Sequence, residues 1–317
     1  MSKIGVIGQG FVGGSLTTVL SERGNEVYVY DKAGIVAEGG IAFDVKRMQA
    51  LAGISSDLTA IQLFAQFCES DESFSKLYFV CVPTPMWDDG ECDVSIVERV
   101  LNELAAIPGE RIAIIKSTIP PGTTEAFNAK FANSGLKVTF CPEFLTEANA
   151  LDDMRNQSRI IVGGPRPAIN NVVNMFKSTF PETQVIKTSS SIAEMVKYFT
   201  NIQLAARVVL SCEFWQLCNN LSEKGLDIDY DKVVEYARHD PRLGNTHMSV
   251  PGHDGVAGAR GHCFPKDLAA LIYLANTNGF DSKLMKAVQS KNLDLVPTEH
   301  RDWEKMVGRA YKKRNSA

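Results

Sequence analysis

Lys3-Ile4-Gly5-Val6-Ile7 is a short apolar run that leads directly into Gly8-Gln9-Gly10-Phe11-Val12-Gly13. Few folds accept a strand that ends in GxGxxG, and the next twenty residues narrow them further. Ser15 to Arg23 carries apolar residues at helical spacing (Leu16, Val19, Leu20), and Gly24 stops it. A second strand, Glu26-Val27-Tyr28-Val29-Tyr30, ends in Asp31 and Lys32, with the acid 18 residues after Gly13. Strand, glycine turn, helix, strand and terminal acid together form the dinucleotide-binding fingerprint. The glycines let backbone N–H groups at the helix N-terminus reach a pyrophosphate. Asp31 suits two ribose hydroxyls and repels a 2'-phosphate, so NAD is expected rather than NADP. The competing reading is a glycine-rich turn in another kind of α/β protein.

A chain of 317 residues, 44% of them apolar, is long enough for two domains with a real core. No stretch reaches the roughly 18 apolar residues of a membrane span, and the first residues lack the apolar region of a signal peptide. A soluble, cytoplasmic protein is expected. The seven cysteines are scattered and include no CxxC, so they read as reduced thiols rather than disulfide or zinc ligands. A net charge of -4 argues against a nucleic-acid partner, and Lys312-Lys313-Arg314 reads as a solvated basic end.

Further strands alternate with helices, as a parallel sheet requires. Lys76 to Val82 stops at Pro83-Thr84-Pro85, and Arg111 to Lys116 stops at Ser117-Thr118-Ile119-Pro120-Pro121-Gly122. Both turns follow strands at the end where open α/β sheets bind ligands. Thr84 and Thr118 are therefore candidates for the cofactor pocket, with ordinary turn capping an equal alternative. After Val138-Thr139-Phe140 comes Cys141-Pro142-Glu143-Phe144-Leu145-Thr146-Glu147. Glu143 and Glu147 suit proton transfer or water positioning, or else are surface acids. Arg159 to Gly164 is the last apolar run of this half.

Ser191 to Glu223 reads as one long helix, apolar at Ile192, Met195, Phe199, Ile202, Val209 and Leu210, and expected to be central and largely buried. Lys197 and Asn201 lie four apart on it, and a cation there can serve an oxyanion or snorkel to water. A long loop, His239 to Ala257, contains Arg242, whose guanidinium fork suits a phosphate. The scattered histidines have no metal-ligand spacing. Gly258-Ala259-Arg260-Gly261-His262-Cys263-Phe264-Pro265-Lys266-Asp267 is punctuated by glycine and proline and reads as a shaped loop presenting a thiol. A cation three residues from Cys263, Lys266, favours the nucleophilic thiolate, whereas a cysteine taken at random is more often a small buried hydrophobe. Leu268 to Asn276 and Ser282 to Leu293 read as two short helices.

Taken in order, GQGFVG, VPTP, STIPPGTT, PEFLTEANALDD, VKYFTN, DPRLGN and GHCFPKD resemble the UDP-glucose/GDP-mannose dehydrogenase family over residues 1 to about 290. The resemblance implies that Cys263 is a catalytic nucleophile. It implies that Lys197 and Asn201 stabilise oxyanions, that Asp267 assists proton transfer and hydrolysis, and that Glu147 and Thr118 hold cofactor and the attacking water. Gly8, Gly10, Phe11, Val12, Gly13, Asp31, Lys32, Thr84, Thr118, Glu147 and Lys266 match cofactor-binding positions. Glu143, Phe144, Leu145, Lys197, Asn201, Arg242, Arg260 and Gly261 match the substrate side, with Arg242 reaching substrate across a dimer interface.

Family members usually carry a third domain of roughly a hundred residues that grips the nucleotide. Here a 25-residue tail is expected instead, and the diphosphate grip is expected to be incomplete or supplied by another chain. Ala259-Arg260 stands where the family commonly has an aromatic residue and a glycine, so Arg260 is expected to replace part of the phosphate contact.

The expected architecture is a Rossmann-type doubly wound parallel sheet (1–188), followed by a long central helix and a small all-helical domain carrying the cysteine loop (189–292), and then the tail (293–317). The expected activity is a four-electron oxidation of a nucleotide sugar, UDP-glucose to UDP-glucuronate, by a homodimer joined through the central helix, without metal or membrane. The rivals are a two-electron β-hydroxyacid-type dehydrogenase, which has no need of a covalent Cys263, and an NAD-binding subunit that needs a partner.

Overall fold

The structure, a computed structural model, describes residues 1–43, 58–146, 149–252, 255–306, 308 and 310–314. The chain packs as two units. Met1–Thr84 and Val94–Lys197 form the first, and Pro85–Asp93 with the chain from Tyr198 onward form the second.

In chain order the first unit contains β1 (Lys3–Ile7), α1 (Phe11–Glu22), β2 (Glu26–Tyr30), β3 (Gly40–Ala42), α2 (Ala60–Glu69) and β4 (Leu77–Val80). Beyond β5 (Met86–Trp87), which belongs to the second unit, come α3 (Ser95–Ala105), β6 (Arg111–Ile115), α4 (Thr123–Lys130), β7 (Leu136–Phe140) and α5 (Ala150–Arg155). It closes with β8 (Arg159–Gly163), α6 (Ala168–Thr179), β9 (Gln184–Thr188) and the start of α7 (Ser190–Glu223).

Eight strands form one sheet in the order β3-β2-β1-β4-β6-β7-β8-β9. The chain starts in the middle, winds out through β2 and β3, then returns to β4 on the other side of β1. That reversal leaves a crevice at the carboxyl ends of β1 and β4, where such sheets bind ligands. Side chains alternate between two cores, as a period of two requires. Ile4, Val6, Leu77, Phe79, Ile112 and Ile114 pack with Leu16 and Leu20 of α1 and Val172 and Phe176 of α6. Ile7, Tyr78, Val80, Ala113 and Ile115 pack with Phe64 of α2 and Val97 and Leu101 of α3. Arg111 ties β6 to α2 by a two-pronged bond to Glu69, at 2.6 and 2.8 Å.

The ladders are parallel except one, since β8 runs antiparallel to β7, joined at Phe140 and Gly163. β9 lies outside the expected strands. It is the sheet edge, with every side chain exposed or half-buried, and so lacks the apolar run by which a strand is recognised.

The second unit contains the rest of α7, α8 (Tyr230–Ala237), α9 (Cys263–Thr277), α10 (Lys283–Leu295), a 3-10 turn (Thr298–His300), α11 (Asp302–Lys305) and β10 (Tyr311–Lys312). It is helical apart from a two-stranded ladder in which β10 pairs in parallel with β5, Tyr311 opposite Met86 and Lys312 opposite Trp87. The segment expected as a plain tail is thus built in. Met86, Ala269, Val296 and Trp303 form a small core there. Lys312 is ion-paired with buried Asp93, and Arg314 with Asp89 and Glu91. Both cations also lie over the Trp87 ring, 5.1 and 5.6 Å from its centre.

Two expectations change. The cysteine segment is a loop only to His262, because Cys263 is the first residue of α9. Pro265 read as a loop marker, but it sits in the first helical turn, where its missing N–H has no intrahelical partner to lose. The apolar residues of α7 are not largely buried either, with Ile192, Phe199, Leu210 and Phe214 more than half exposed. The buried positions include Glu194, Lys197, Tyr198 and Asn201.

Candidate active site

On the first unit, the turn between β1 and α1 is shaped by backbone crowding. Gly8 has φ +92°, and a Cβ there would lie 2.5 Å from the Cys81 carbonyl oxygen. A Cβ on Gly13 would lie 1.9 Å from the Gly8 carbonyl oxygen, so α1 packs this close only on a glycine. The N-cap residue of α1, Gly10, brings no side chain to the first-turn amides of Phe11, Val12 and Gly13, which is the arrangement that binds a phosphate. Asp31 follows β2, its carboxylate fixed by the backbone N–H of Gln9 and of Ala33, both at 2.8 Å. A carboxylate accepts about four hydrogen bonds, so capacity remains for ribose hydroxyls. Lys32 beside it is exposed, Thr84 beyond β4 is buried, and Thr118 beyond β6 is half-buried. These groups fit an NAD molecule laid over the switch point.

The turns after β6 and β7 share a buried cation. Lys116, 4% exposed, donates to the Pro142 carbonyl and pairs with the Glu143 carboxylate, each at 3.2 Å, with the Cys141 sulfur at 3.7 Å. Burial works to lower the Lys116 pKa, but its neighbours Cys141 and Glu143 outweigh that and leave it raised. Burial pushes the Cys81 thiol up to about 12, against the pull of Lys116. The other Glu143 oxygen accepts the Phe144 N–H and, at 2.7 Å, the Leu145 N–H. Both oxygens of this carboxylate are engaged, which anchors the turn. Lys197, 5% exposed, donates to the Glu143 carbonyl oxygen. Two cations lie over the Phe144 ring, Arg159 at 4.4 Å and Lys197 at 5.6 Å from its centre.

On the second unit, Cys263 is exposed at the N-terminus of the 15-residue α9. The thiol thus sits at the positive end of the helix, a setting in which cysteines act as nucleophiles. The approach is set by Gly258 (φ +100°), where a Cβ would come 2.4 Å from a Val296 methyl, and by Gly261 (φ +73°). Asn292 clamps the intervening Ala259 through its N–H (2.7 Å) and its carbonyl (2.9 Å). Asp267 is fully buried and accepts from Lys266 Nζ and from Asn201 Nδ2, both at 2.6 Å. Burial acts to lower the Lys266 pKa, and Asp267, with the Cys92 and Cys263 sulfurs, reverses this to leave it raised.

Lys266, expected against the cofactor, is thus committed to Asp267. Asn201, through its own bond to that carboxylate, orients Asp267. Arg260, expected on a phosphate, bonds Asp302 (2.6 Å) and the His300 carbonyl (3.2 Å), so a phosphate has to compete with that segment. Arg242 pairs with Asp240 in its own loop, with 87% of its side chain exposed. Glu147 lies outside the described residues. Among the described residues no group of His, Cys, Asp and Glu could hold a metal, and no helix is long and apolar enough to cross a membrane. Sequence reasoning passed over Lys116, Gln9, Asn292 and Glu194. The signal for Glu194 was an acid three residues ahead of Lys197 on the same helix face.

Comparison with known proteins supplies the class. Residues 2–181 match the NAD binding domain of the UDP-glucose/GDP-mannose dehydrogenase family, and residues 191–294 match its central domain. A putative UDP-glucose 6-dehydrogenase of Bacillus subtilis is 30% identical over 92% of this chain and 67% of its own. A UDP-N-acetyl-D-mannosamine dehydrogenase of Pyrococcus horikoshii is 28% identical over 85% of this chain and 64% of its own. The solved UDP-glucose dehydrogenase of Pyrobaculum islandicum superposes with a TM-score of 0.71 at 25% identity, over 92% of this chain and 68% of that one. The chain spans about two thirds of the length of these relatives. With the dinucleotide turn, the Asp31 carboxylate and the cysteine at a helix start all in place, the chain belongs to the UDP-glucose/GDP-mannose dehydrogenase family and is an NAD-dependent oxidoreductase.

Proposed function

We propose that the chain oxidises the primary alcohol of a nucleotide sugar to a carboxylate, with UDP-glucose as substrate and UDP-glucuronate as product. The observation that carries this reading is Cys263, exposed at the start of α9 beside the buried Lys266–Asp267–Asn201 group. A single hydride transfer has no use for a covalent nucleophile, and a four-electron oxidation does.

NAD, which the α1 turn and Asp31 would hold, would supply the hydride acceptor for each of two oxidations. In the first, the alcohol loses a proton and a hydride and becomes an aldehyde. The Cys263 thiolate adds to the aldehyde carbon, and Lys197 and Asn201 stabilise the oxyanion of the thiohemiacetal. Loss of a second hydride leaves a thioester. Water adds to its carbonyl carbon, the C–S bond breaks, the thiolate returns and the carboxylate leaves. Per sugar, one water and two NAD become two NADH and three protons. Asp267, held by Lys266 and Asn201, takes up protons during these steps, and Thr118 with Glu147 holds the water. Phe144 and Leu145, on the turn fixed by Glu143, are the substrate side of the first unit.

The working form is a homodimer joined through α7. Supporting this, Ile192, Met195, Phe199, Leu210, Phe214 and Leu217 are 43–63% exposed on that one helix, a row with the composition of an interface core. A second copy would also give the unburied Arg242 a substrate to reach.

The test is the count of NADH formed per UDP-glucose consumed. Two are expected in the wild type, and Cys263→Ser is expected to slow overall turnover by at least roughly a thousandfold. One NADH per sugar would favour the two-electron rival. Turnover with UDP-N-acetylmannosamine but not UDP-glucose would move the substrate assignment within the family.

A further inference from the structure

Glu194 is fully buried in the first unit and takes no part in the mechanism above. One carboxylate oxygen accepts the Gly122 N–H at 2.6 Å, and the other accepts the Thr124 N–H at 2.8 Å and the Thr124 hydroxyl at 2.6 Å. These donors form the N-terminus of α4, whose N-cap is Gly122 at φ +92°, without a side chain of its own to cap with. A residue 70 positions away does the capping instead. Burying a carboxylate is costly unless it is hydrogen-bonded, and here three donors reach its two oxygens. Desolvation still raises the Glu194 pKa, with the Thr124 and Gly122 bonds pulling against it.

The location makes this more than a distant cap. The turn from Ser117 to Gly122 contains Thr118, and its two ends are held by different groups. At the strand end the Ser117 hydroxyl donates to the Val82 carbonyl at 2.6 Å, beside buried Lys116, and at the helix end Glu194 holds Gly122 and Thr124. Lys197, one turn further along α7, anchors the neighbouring turn through the Glu143 carbonyl. The first two turns of α7 thus hold both strand-end turns at once.

We propose that Glu194 is a positioning residue that sets the Thr118 turn for the water-consuming release of the thioester. This rests on the four-electron reading of the proposed function. Without Glu194 the two oxidations proceed while water is held poorly, so the acyl group stays on Cys263.

The variant is Glu194→Gln, which keeps the shape but turns an amide NH2 toward the Gly122 N–H. Intact mass spectrometry during turnover of UDP-glucose and NAD is expected to find the acylated enzyme as the main species, against little in the wild type. Turnover is expected to fall roughly tenfold to a hundredfold, the scale of a misplaced reacting group, with NAD affinity within about threefold. Hydroxylamine, which cleaves thioesters, is expected to restore NADH formation. A proportionate loss without adduct would mark a purely structural cap and overturn the proposal, and so would unchanged turnover. Should Glu194→Gln fail to fold, Thr124→Ala removes one of the three donors and is expected to give a smaller adduct, with Thr124→Ser restoring release. Amide exchange at Ser117–Thr124 is read independently of turnover, and unchanged protection in Glu194→Gln overturns the positioning. Absence of NADH from the wild type would instead overturn the assigned reaction.

Discussion

Buried thiols and exposed Cys263 separate by chemistry as well as by place. Burial raises the pKa of Cys68, Cys141 and Cys212, and that of Cys81 up to about 12. A thiol raised that far stays protonated at pH 8, and Cys68, Cys141 and Cys212 are besides buried, so that they react only when the fold opens. Iodoacetamide at pH 8 is therefore expected to modify Cys263 well before any other cysteine, with peptide mapping as the measurement. Rapid native labelling of Cys68 or Cys141 would contradict the burial described. Residues whose identity is forced by the local backbone were legible in the sequence, Gly8 and Gly13 being the clearest. Lys116 and Glu194 were not, because their partners lie 26 and 70 residues away and only the folded sheet brings them together.

Among elements, the inner strands were legible because strands covered on both faces read as apolar runs. The edge strand β9 and the start of α9 were not, the first for want of apolar side chains and the second because proline is tolerated in a first helical turn. α7 teaches a different lesson. Its periodicity marks a helix, yet the acid, lysine and asparagine of one face are inside while Phe199 and Leu210, 63% and 56% exposed, face out. A period identifies faces without saying what each will meet. If the outward row is a dimer seam, Phe199→Glu combined with Leu210→Glu is expected to convert a sedimenting dimer to monomer while the monomer retains its helical circular dichroism. A wild type that sediments as a monomer at micromolar concentration would dismiss the seam.

Across the whole molecule, length and the change from strand to helix patterns led to an expectation of two domains, and the chain packs as two compact units with other bounds. Assignment of Pro85–Asp93 to the second unit was not legible, since a two-residue strand has no period to detect. The closing segment is expected to contribute stability of its own. Trp303 is 3% exposed, and Lys312 reaches a buried Asp93. Removing residues 302–317 leaves Met86 and Val296 uncovered and takes the Lys312 ion pair from Asp93, at a cost of roughly 3 kcal/mol or more. Urea unfolding of the shortened chain measures this, and an unchanged midpoint would mean the segment is merely apposed.

The β5–β10 ladder also imposes an order of events on the ribosome. Asp93 and its partner Lys312 are 219 residues apart. At about 5–20 residues per second the earlier member waits roughly 10–40 s for the later one to be made. During that interval the dinucleotide-binding part can finish folding while the edge of Met86 and Trp87 that β10 will cover stays open, an invitation to chaperones and to other nascent chains. A fragment ending at Lys197 would keep that invitation open permanently, so this domain is best expressed together with the rest of the chain.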